Sequence, residues 1–398
     1  MRSTFELMDD IKPFRIDIPQ ADLDDLRARL RRTRWAAQLP GGWTRGVPVR
    51  YVRELAEHWA GDFDWRAQEA RLNAFPQFTT VIDGQQIHFL HVRSPEPDAL
   101  PLIMTHSWPS SVAEYLEMIG PLTDPRSHGL DPRLAFHVVA PSLPGFAFSP
   151  FPEPADERPW SVERVARTWA ELMRRLGYER YGAHGNDAGA LVTPQLAALD
   201  SPHVVGSLIT AGLGIPTGQP GELDGLGEKE LAELEEMSDW MTGGSGYGPY
   251  LAARPQTLAH GFADSPVAQL AYLVERFKEF DGWGSEEEPI GRDLVLTNAS
   301  LYWFTATGGS SSWTYYEGAA GLPISQRAVP TGVTHGGPEV MRRVAERGND
   351  LVYWGQAQSP SHMVGMAAPD TLVTGIREFF GMLRRGGKDF TQGALPRL

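Results

Sequence analysis

Ten residues near the middle of the chain, Tyr181-Gly182-Ala183-His184-Gly185-Asn186-Asp187-Ala188-Gly189-Ala190, restrict its fold more than any other stretch. They read as a short strand, a tight turn and the start of an apolar helix that runs from Leu191 to Leu199. The spacing small-x-nucleophile-x-small is that of a nucleophile elbow, with Asp187 at its tip. Gly185 and Gly189 flank a residue held in a strained turn, where bulkier neighbours would clash. A carboxylate in that place can attack an electrophilic carbon and leave an alkyl ester on the protein, which water must then cleave. An Asp in a strand-to-helix turn is also a common helix cap, so its partners elsewhere must decide.

The surrounding pattern supplies a sheet for the elbow. Thr79–Ile82, an Asp83-Gly84 turn and Ile87–Val92 read as a hairpin. Leu100–Thr105 and Phe136–Ala140 are continuous apolar runs, as expected of strands buried on both faces. Ser161–Leu176 has one apolar face with helical period, and Val204–Thr210 reads as the strand after the elbow. Ala328–Gly332 and Asp350–Trp354 resume the strands, and Pro369–Leu383 closes as an amphipathic helix. Strands alternating with helices imply a parallel, doubly wound sheet. Two segments break the alternation. Residues 1–78 carry helical stretches at Asp22–Arg31, Tyr51–Trp59 and Asp64–Leu72, and read as a helical meander. Residues 214–322 carry helices at Leu231–Met241, Pro266–Phe280 and Arg292–Thr305, and read as a lid inserted between core segments 79–213 and 323–398.

Hydrolysis through a carboxylate needs an oxyanion hole, a base for the water and a group that orients the base. The loop His106-Ser107-Trp108-Pro109-Ser110-Ser111 follows the buried strand ending at Thr105, so the Trp108 backbone N–H is one candidate donor and the Ala188 N–H the other. His362 lies after the last strand and before the terminal helix, where α/β-hydrolases place their base. Glu339 follows the preceding strand and is the candidate acid; Asp350 is a rival at the wrong end of its strand, and His335 is read as a loop residue. An electrophile whose leaving group is an alkoxide further needs a proton donor at that oxygen, because an alkoxide leaves poorly. The lid offers Tyr247, Tyr302, Tyr315 and Tyr316, and chemistry alone does not choose among them.

Composition removes other classes. A net charge of -14 opposes binding to nucleic acid or to an anionic membrane surface. Zero cysteines exclude disulfides and thiolate chemistry. The stretch Met1–Pro13 has neither a basic nor an apolar leader region, and no apolar run reaches about 18 residues, so a soluble, cytoplasmic protein is expected.

The chain resembles the microsomal-type epoxide hydrolase family, soluble bacterial branch, along nearly its whole length. The resemblance rests on Phe63-Asp64-Trp65 with Leu72-Asn73, Ile87-His88-Phe89 and His106-Ser107-Trp108-Pro109. Pro121-Leu122-Thr123-Asp124-Pro125, Pro141-Ser142-Leu143-Pro144-Gly145 and Gly185-Asn186-Asp187-Ala188-Gly189 add to it. Leu301-Tyr302-Trp303, Val329-Pro330-Thr331-Gly332 and Ser361-His362 complete it. It implies an α/β-hydrolase fold and a cofactor-free, metal-free conversion of a hydrophobic epoxide and water to a vicinal diol. By the same resemblance Asp187 is the nucleophile, His362 the base and Glu339 the acid orienting it. Tyr247 (in Ser245-Gly246-Tyr247) and Tyr315 match the two epoxide-oxygen donors, with Tyr316 adjacent as the alternative; Trp108, Tyr302 and Trp303 are expected to line the pocket. Relatives often pair as homodimers, and some bacterial ones process large intermediates of secondary metabolism, including enediyne antibiotics. The sequence departs from the family at two places, where Ser107 and Asn186 stand for glycines. A haloalkane-type dehalogenase shares the Asp-His-acid logic, and a non-catalytic protein binding a hydrophobic ligand on the same fold is the rival from another class.

Overall fold

A computed structural model describes residues 10–153, 158, 160–216, 220–243, 246–280, 288–317, 327–359, 361–387, 390 and 392. Ser245, which the quoted Ser245-Gly246-Tyr247 motif includes, lies outside the described residues.

The apolar runs form one sheet of nine strands: β1 Lys12–Phe14, β2 Gln77–Ile82, β3 Gln85–Val92, β4 Leu100–Thr105, β5 Phe136–Pro141, β6 Tyr181–Asn186, β7 Val204–Thr210, β8 Pro330–Gly336 and β9 Asp350–Gln356. Their spatial order is β1-β2-β3-β5-β4-β6-β7-β8-β9. The pairs from β1 to β5 are antiparallel, and those from β5 through β4 and β6 to β9 are parallel. Asp83 and Gly84 both take positive φ, 51° and 78°, as a two-residue hairpin turn requires. The parallel strands put their carboxyl ends along one edge, where such sheets carry their sites. Thr105 lies opposite Gly185 in the β4–β6 ladder, so the loop after β4 begins beside the elbow.

The helices cover both faces. Ser161 caps the helix Val162–Arg175, its side chain accepting from Arg164 N, and Trp169 of that helix is wholly buried against the sheet. The helix Pro369–Arg385 buries Phe379 and Phe380 on the other face, beside β5 and β7 residues. The N-terminal segment differs from expectation: it is not only helical, because Lys12–Phe14 adds an edge strand to β2. Three residues, one of them proline, carry no readable alternation.

The helices Gln20–Arg31 and Val49–Ala60 pack not on the sheet but on the helices Pro266–Phe280 and Arg292–Phe304, which lie between β7 and β8 in the chain. Leu26, Leu55 and Trp59 meet Leu270, Leu273 and Leu296 in one buried cluster. Trp59 Nε1 donates to Ser300 Oγ at 2.9 Å, and His58 Nε2 lies 2.7 Å from Asp293 Oδ1. Burial of this apolar face, at about 25 cal/mol per Å², is what holds the helices over the sheet edge. No helix among the described residues is long and apolar enough to cross a membrane.

Six buried histidines make the fold sensitive to acid, among them His335, whose ring burial holds below its ordinary value. Burial pushes His88, His91 and His184 down to about 3, and His106 and His137 down to about 4. His106 shows the geometry: Nδ1 donates to Ser107 O at 2.9 Å while Nε2 accepts from Leu143 N at 3.1 Å, so only the neutral ring satisfies both. The unfolded chain protonates these rings near 6.5, so their stabilisation is complete above that pH and is lost as pH falls toward 4. Each ring costs about 1.4 kcal/mol per pH unit in that window. Glu114 runs the other way, burial raising it to about 7, and burial raises Glu279 as well, but these are two groups against six. Cooperative unfolding on acidification is therefore expected with a midpoint near pH ~5, followed by circular dichroism. A native spectrum at pH ~4 would show that these rings titrate normally.

Candidate active site

The elbow owes its shape to two close backbone approaches. A Cβ on Gly185 would lie 2.2 Å from Gly189 O, and one on Gly189 would lie 2.0 Å from Thr105 O. Asp187 between them takes φ 52° and ψ -113° and begins the helix Ala188–Leu199. A side chain in that region is strained by about 1–3 kcal/mol and persists where the surroundings over-determine it.

Those close approaches hold the backbone, and the carboxylate adds contacts of its own. Asp187 Oδ1 accepts from Trp108 N at 2.9 Å and from Ala188 N at 2.7 Å. Its other oxygen, Oδ2, lies 3.1 Å from His362 Nε2. One oxygen thus rests between two backbone donors, and the second faces a base. The loop after Trp108 is anchored by the helix Arg292–Phe304: Asn298 Nδ2 donates to Pro109 O at 2.7 Å, and the Tyr302 hydroxyl donates to Ser110 O at 2.7 Å. The peptide that carries the Trp108 N–H is itself fixed, since Ser107 O accepts from His106 Nδ1 at 2.9 Å and from Ser110 N at 3.1 Å. Ser107 does not take positive φ, and its loop reaches Asp187 without the glycine that the resemblance leads one to expect.

Above the carboxylate stands an aromatic group. The Trp108 ring lies 5.8 Å from that of Tyr247 and 5.0 Å from that of Tyr315, and the two tyrosine rings are 5.7 Å apart. Tyr247 opens the helix Tyr247–Ala253 and Tyr315 belongs to the short helix Trp313–Tyr316. Their hydroxyls share a hydrogen bond, and burial first, with the Asp187 charge among the further causes, pushes both phenols above their ordinary value. Both therefore keep their protons at neutral pH. Tyr316, one residue on, is half-buried and pushed up to about 12 by burial, and neither Trp108 nor Tyr247 is among its ring contacts. Phe280 closes the side over His362, with ring centroids 5.1 Å apart.

Three expected residues lie elsewhere. Glu339 is 69% exposed, with Arg342 at 3.8 Å as its ion-pair partner, and among the described residues no hydrogen bond joins it to His362. It opens the helix Glu339–Gly348, which buries Val340, Met341, Val344 and Ala345, so Glu339 turns outward at an end where the helix dipole favours a negative charge. A helix-starting acid and a base-orienting acid look alike in the sequence. Replacing Glu339 by alanine is expected to change turnover by less than about 3-fold; a loss of about 100-fold would reinstate it as the orienting acid. Tyr302 is wholly buried and spends its hydroxyl on Ser110 O, so it supports the oxyanion loop instead of lining a pocket. Trp303 points to the N-terminal helices, under the Arg29 guanidinium at 5.7 Å. His335, read as a loop residue, ends β8 and is buried.

Other participants were not legible. Arg276 is buried in the helix Pro266–Phe280 and places its guanidinium 4.3 Å over the Tyr247 ring. Glu114 is buried in the turn Val112–Tyr115 and lies within electrostatic reach of both Asp187 and His362. Its only sequence signal is an acid among apolar neighbours.

Comparison with known proteins places the chain in a family. Residues 11–115 match the family described as epoxide hydrolase N terminus, and residues 100–243 match the alpha/beta hydrolase fold family. A putative epoxide hydrolase of Stigmatella aurantiaca is 40% identical over 94% of this chain and 86% of its own length. The chain belongs to the epoxide hydrolase family. Epoxide hydrolase 1 of Sus scrofa is 30% identical over 94% of the chain and 89% of its own length. Among solved structures, the Aspergillus niger epoxide hydrolase superposes with a TM-score of 0.80 at 27% identity, covering 94% of this chain and 96% of that one. The α/β-hydrolase fold and the epoxide hydrolase family together account for the sheet, the elbow and the N-terminal segment.

Proposed function

We propose that this epoxide hydrolase opens a hydrophobic epoxide by attack of Asp187 and releases a vicinal diol by hydrolysis of the resulting ester. The observation that carries the reading is the division of labour on one carboxylate, with Oδ1 held by Trp108 N and Ala188 N and Oδ2 facing His362 Nε2 at 3.1 Å. Oδ2 forms the new C–O bond as the ring C–O bond breaks, and the epoxide oxygen takes a proton from the Tyr247–Tyr315 pair. Water then attacks the Asp187 Cγ and gives one proton to His362. The oxyanion formed on Oδ1 already sits between its two donors, so no reorganisation is required as charge develops. Collapse expels the diol oxygen, which takes the proton from His362, and the carboxyl proton left on Asp187 returns to the tyrosinate.

The aromatic walls of Trp108, Tyr247, Tyr315 and Phe280 favour an apolar substrate, with both aryl epoxides and bulky polycyclic intermediates of secondary metabolism as candidates. Halide release is disfavoured, because Trp108 Nε1 is engaged by Ser311 Oγ at 3.3 Å and is not turned toward a leaving halide. The test is a single turnover in ¹⁸O-water with enzyme in excess over an aryl epoxide, and a haloalkane as control. The covalent route yields unlabelled diol and a labelled Asp187 carboxylate. Label in the diol, or release of halide, would count against it.

A further inference from the structure

Ser107 and Asn186, the two positions where glycine was expected, touch each other. Asn186 Nδ2 donates to Ser107 Oγ at 3.0 Å and to the backbone oxygen of His362 at 2.9 Å. The amide orientation follows from the second contact, since a carbonyl accepts only from the nitrogen end. Both Asn186 protons are then spent, so Ser107 Oγ accepts from Asn186 and sends its own proton to Glu114 Oε1 at 3.1 Å. Ser107 N donates to Glu114 Oε2 at 2.9 Å. All three side chains are at most 1% exposed. Asn186 Oδ1 is buried with no hydrogen-bond partner among the described residues, a cost that makes sense only if the amide is kept for its two donors.

The placement of these groups gives them a function. Ser107 precedes Trp108, whose N–H holds Oδ1; Asn186 precedes Asp187; and the third contact is the backbone of His362 itself. Glu114 also packs on the loop carrying the base, since a Cβ on Gly365 would lie 2.8 Å from Glu114 Cγ. Three chain segments distant in sequence, ending in the oxyanion donor, the nucleophile and the base, are tied through one buried chain of hydrogen bonds.

We propose that Glu114, Ser107 and Asn186 form a positioning network that sets Trp108 N, Asp187 and His362 in mutual register for ester hydrolysis. This rests on the covalent reading above. Rigid support of this kind matters because misplacement of a base by about 1 Å can cost about 100-fold in rate. The network is a unit: removing either Ser107 Oγ or the Asn186 amide breaks the same link between oxyanion loop and base loop, so the two deletions are expected not to add.

The test compares the wild type with Ser107→Ala, Asn186→Ala and the double variant, using rapid-quench measurement of ester formation and ester hydrolysis on an aryl epoxide that the wild type turns over. Each single variant is expected to slow ester hydrolysis by about 10-fold or more with the rate of ester formation within about 3-fold, and the double variant to be no slower than the worse single. Should Asn186→Ala not fold, Ser107→Ala alone carries the expectation, because it deletes only the bridging hydroxyl. A lowered Tm with an unchanged rate of ester hydrolysis would overturn the proposal by making the network merely structural. Rates that multiply in the double variant would overturn it as well. If the wild type itself formed no ester while releasing diol, the covalent reading would fall and the network's role with it.

Discussion

Replacing Asp187 by alanine is expected to lower diol formation by at least about 10 000-fold while leaving the near-UV circular dichroism unchanged. The loss is large because on the proposed route the residue supplies the attacking oxygen, and it is also the acceptor that Trp108 N, Ala188 N and His362 Nε2 converge on. No neighbouring group can replace it: Glu114 is buried and committed to Ser107, and His362 faces the vacated position without an electrophile to serve. The fold should tolerate the change, since Gly185 and Gly189, not the Asp187 side chain, permit the backbone to approach itself. The lost acceptor for Ala188 N costs about 1 kcal/mol, an amount small against the stability of a folded domain. Diol formation within about 100-fold of the wild type would mean that water attacks the epoxide directly, and the nucleophile assignment would fail.

Replacing His362 by glutamine should separate the two half-reactions. Ring opening needs the carboxylate and the tyrosine pair, and both remain. Ester hydrolysis needs the imidazole, which accepts a proton from water and then gives it to the departing diol oxygen. Steady-state turnover is expected to fall by about 100- to 10 000-fold, the range assigned to a positioned general base. In the same experiment one equivalent of epoxide should be consumed in a burst, and intact-protein mass spectrometry should show an adduct equal to the substrate mass. The adduct should map to the peptide containing Asp187. A variant that neither bursts nor accumulates adduct would place His362 in ring opening instead.

The two expectations depend on residues that differ in how legible they were. Asp187 was readable because an elbow imposes local constraints: small residues at fixed offsets, a strand before and an apolar helix after. His362 was readable by chain order, since a base must follow the last parallel strand to reach the sheet edge that carries the elbow. Glu339 satisfied the same kind of order, but the helix Glu339–Gly348 rotates it into solvent, because its neighbours Val340 and Met341 take the buried side. A one-residue change of facing is decided by packing, not by order. Tyr302 and Trp303 are adjacent in the chain, yet one supports the oxyanion loop and the other meets Arg29, because successive residues on a helix point about 100° apart. The choice of Tyr315 over Tyr316 beside Trp108 has the same origin.

What the sequence determined on its own was therefore everything set by local spacing and by hydrophobic period: the strands that build the parallel sheet, the elbow with Asp187 at its tip, and the order in which the Trp108 loop, Asp187 and His362 appear. Only the tertiary structure decided which side chains meet. The Ser107–Asn186–His362 link joins positions 79 and 176 residues apart in the chain. The Arg276 stack on Tyr247 and the bond from Asn298 to Pro109 likewise join separate segments of the chain. Local sequence encodes backbone conformation because sterics act between near neighbours; contacts between distant segments depend on how buried faces fit together, and a single sequence does not print that fit.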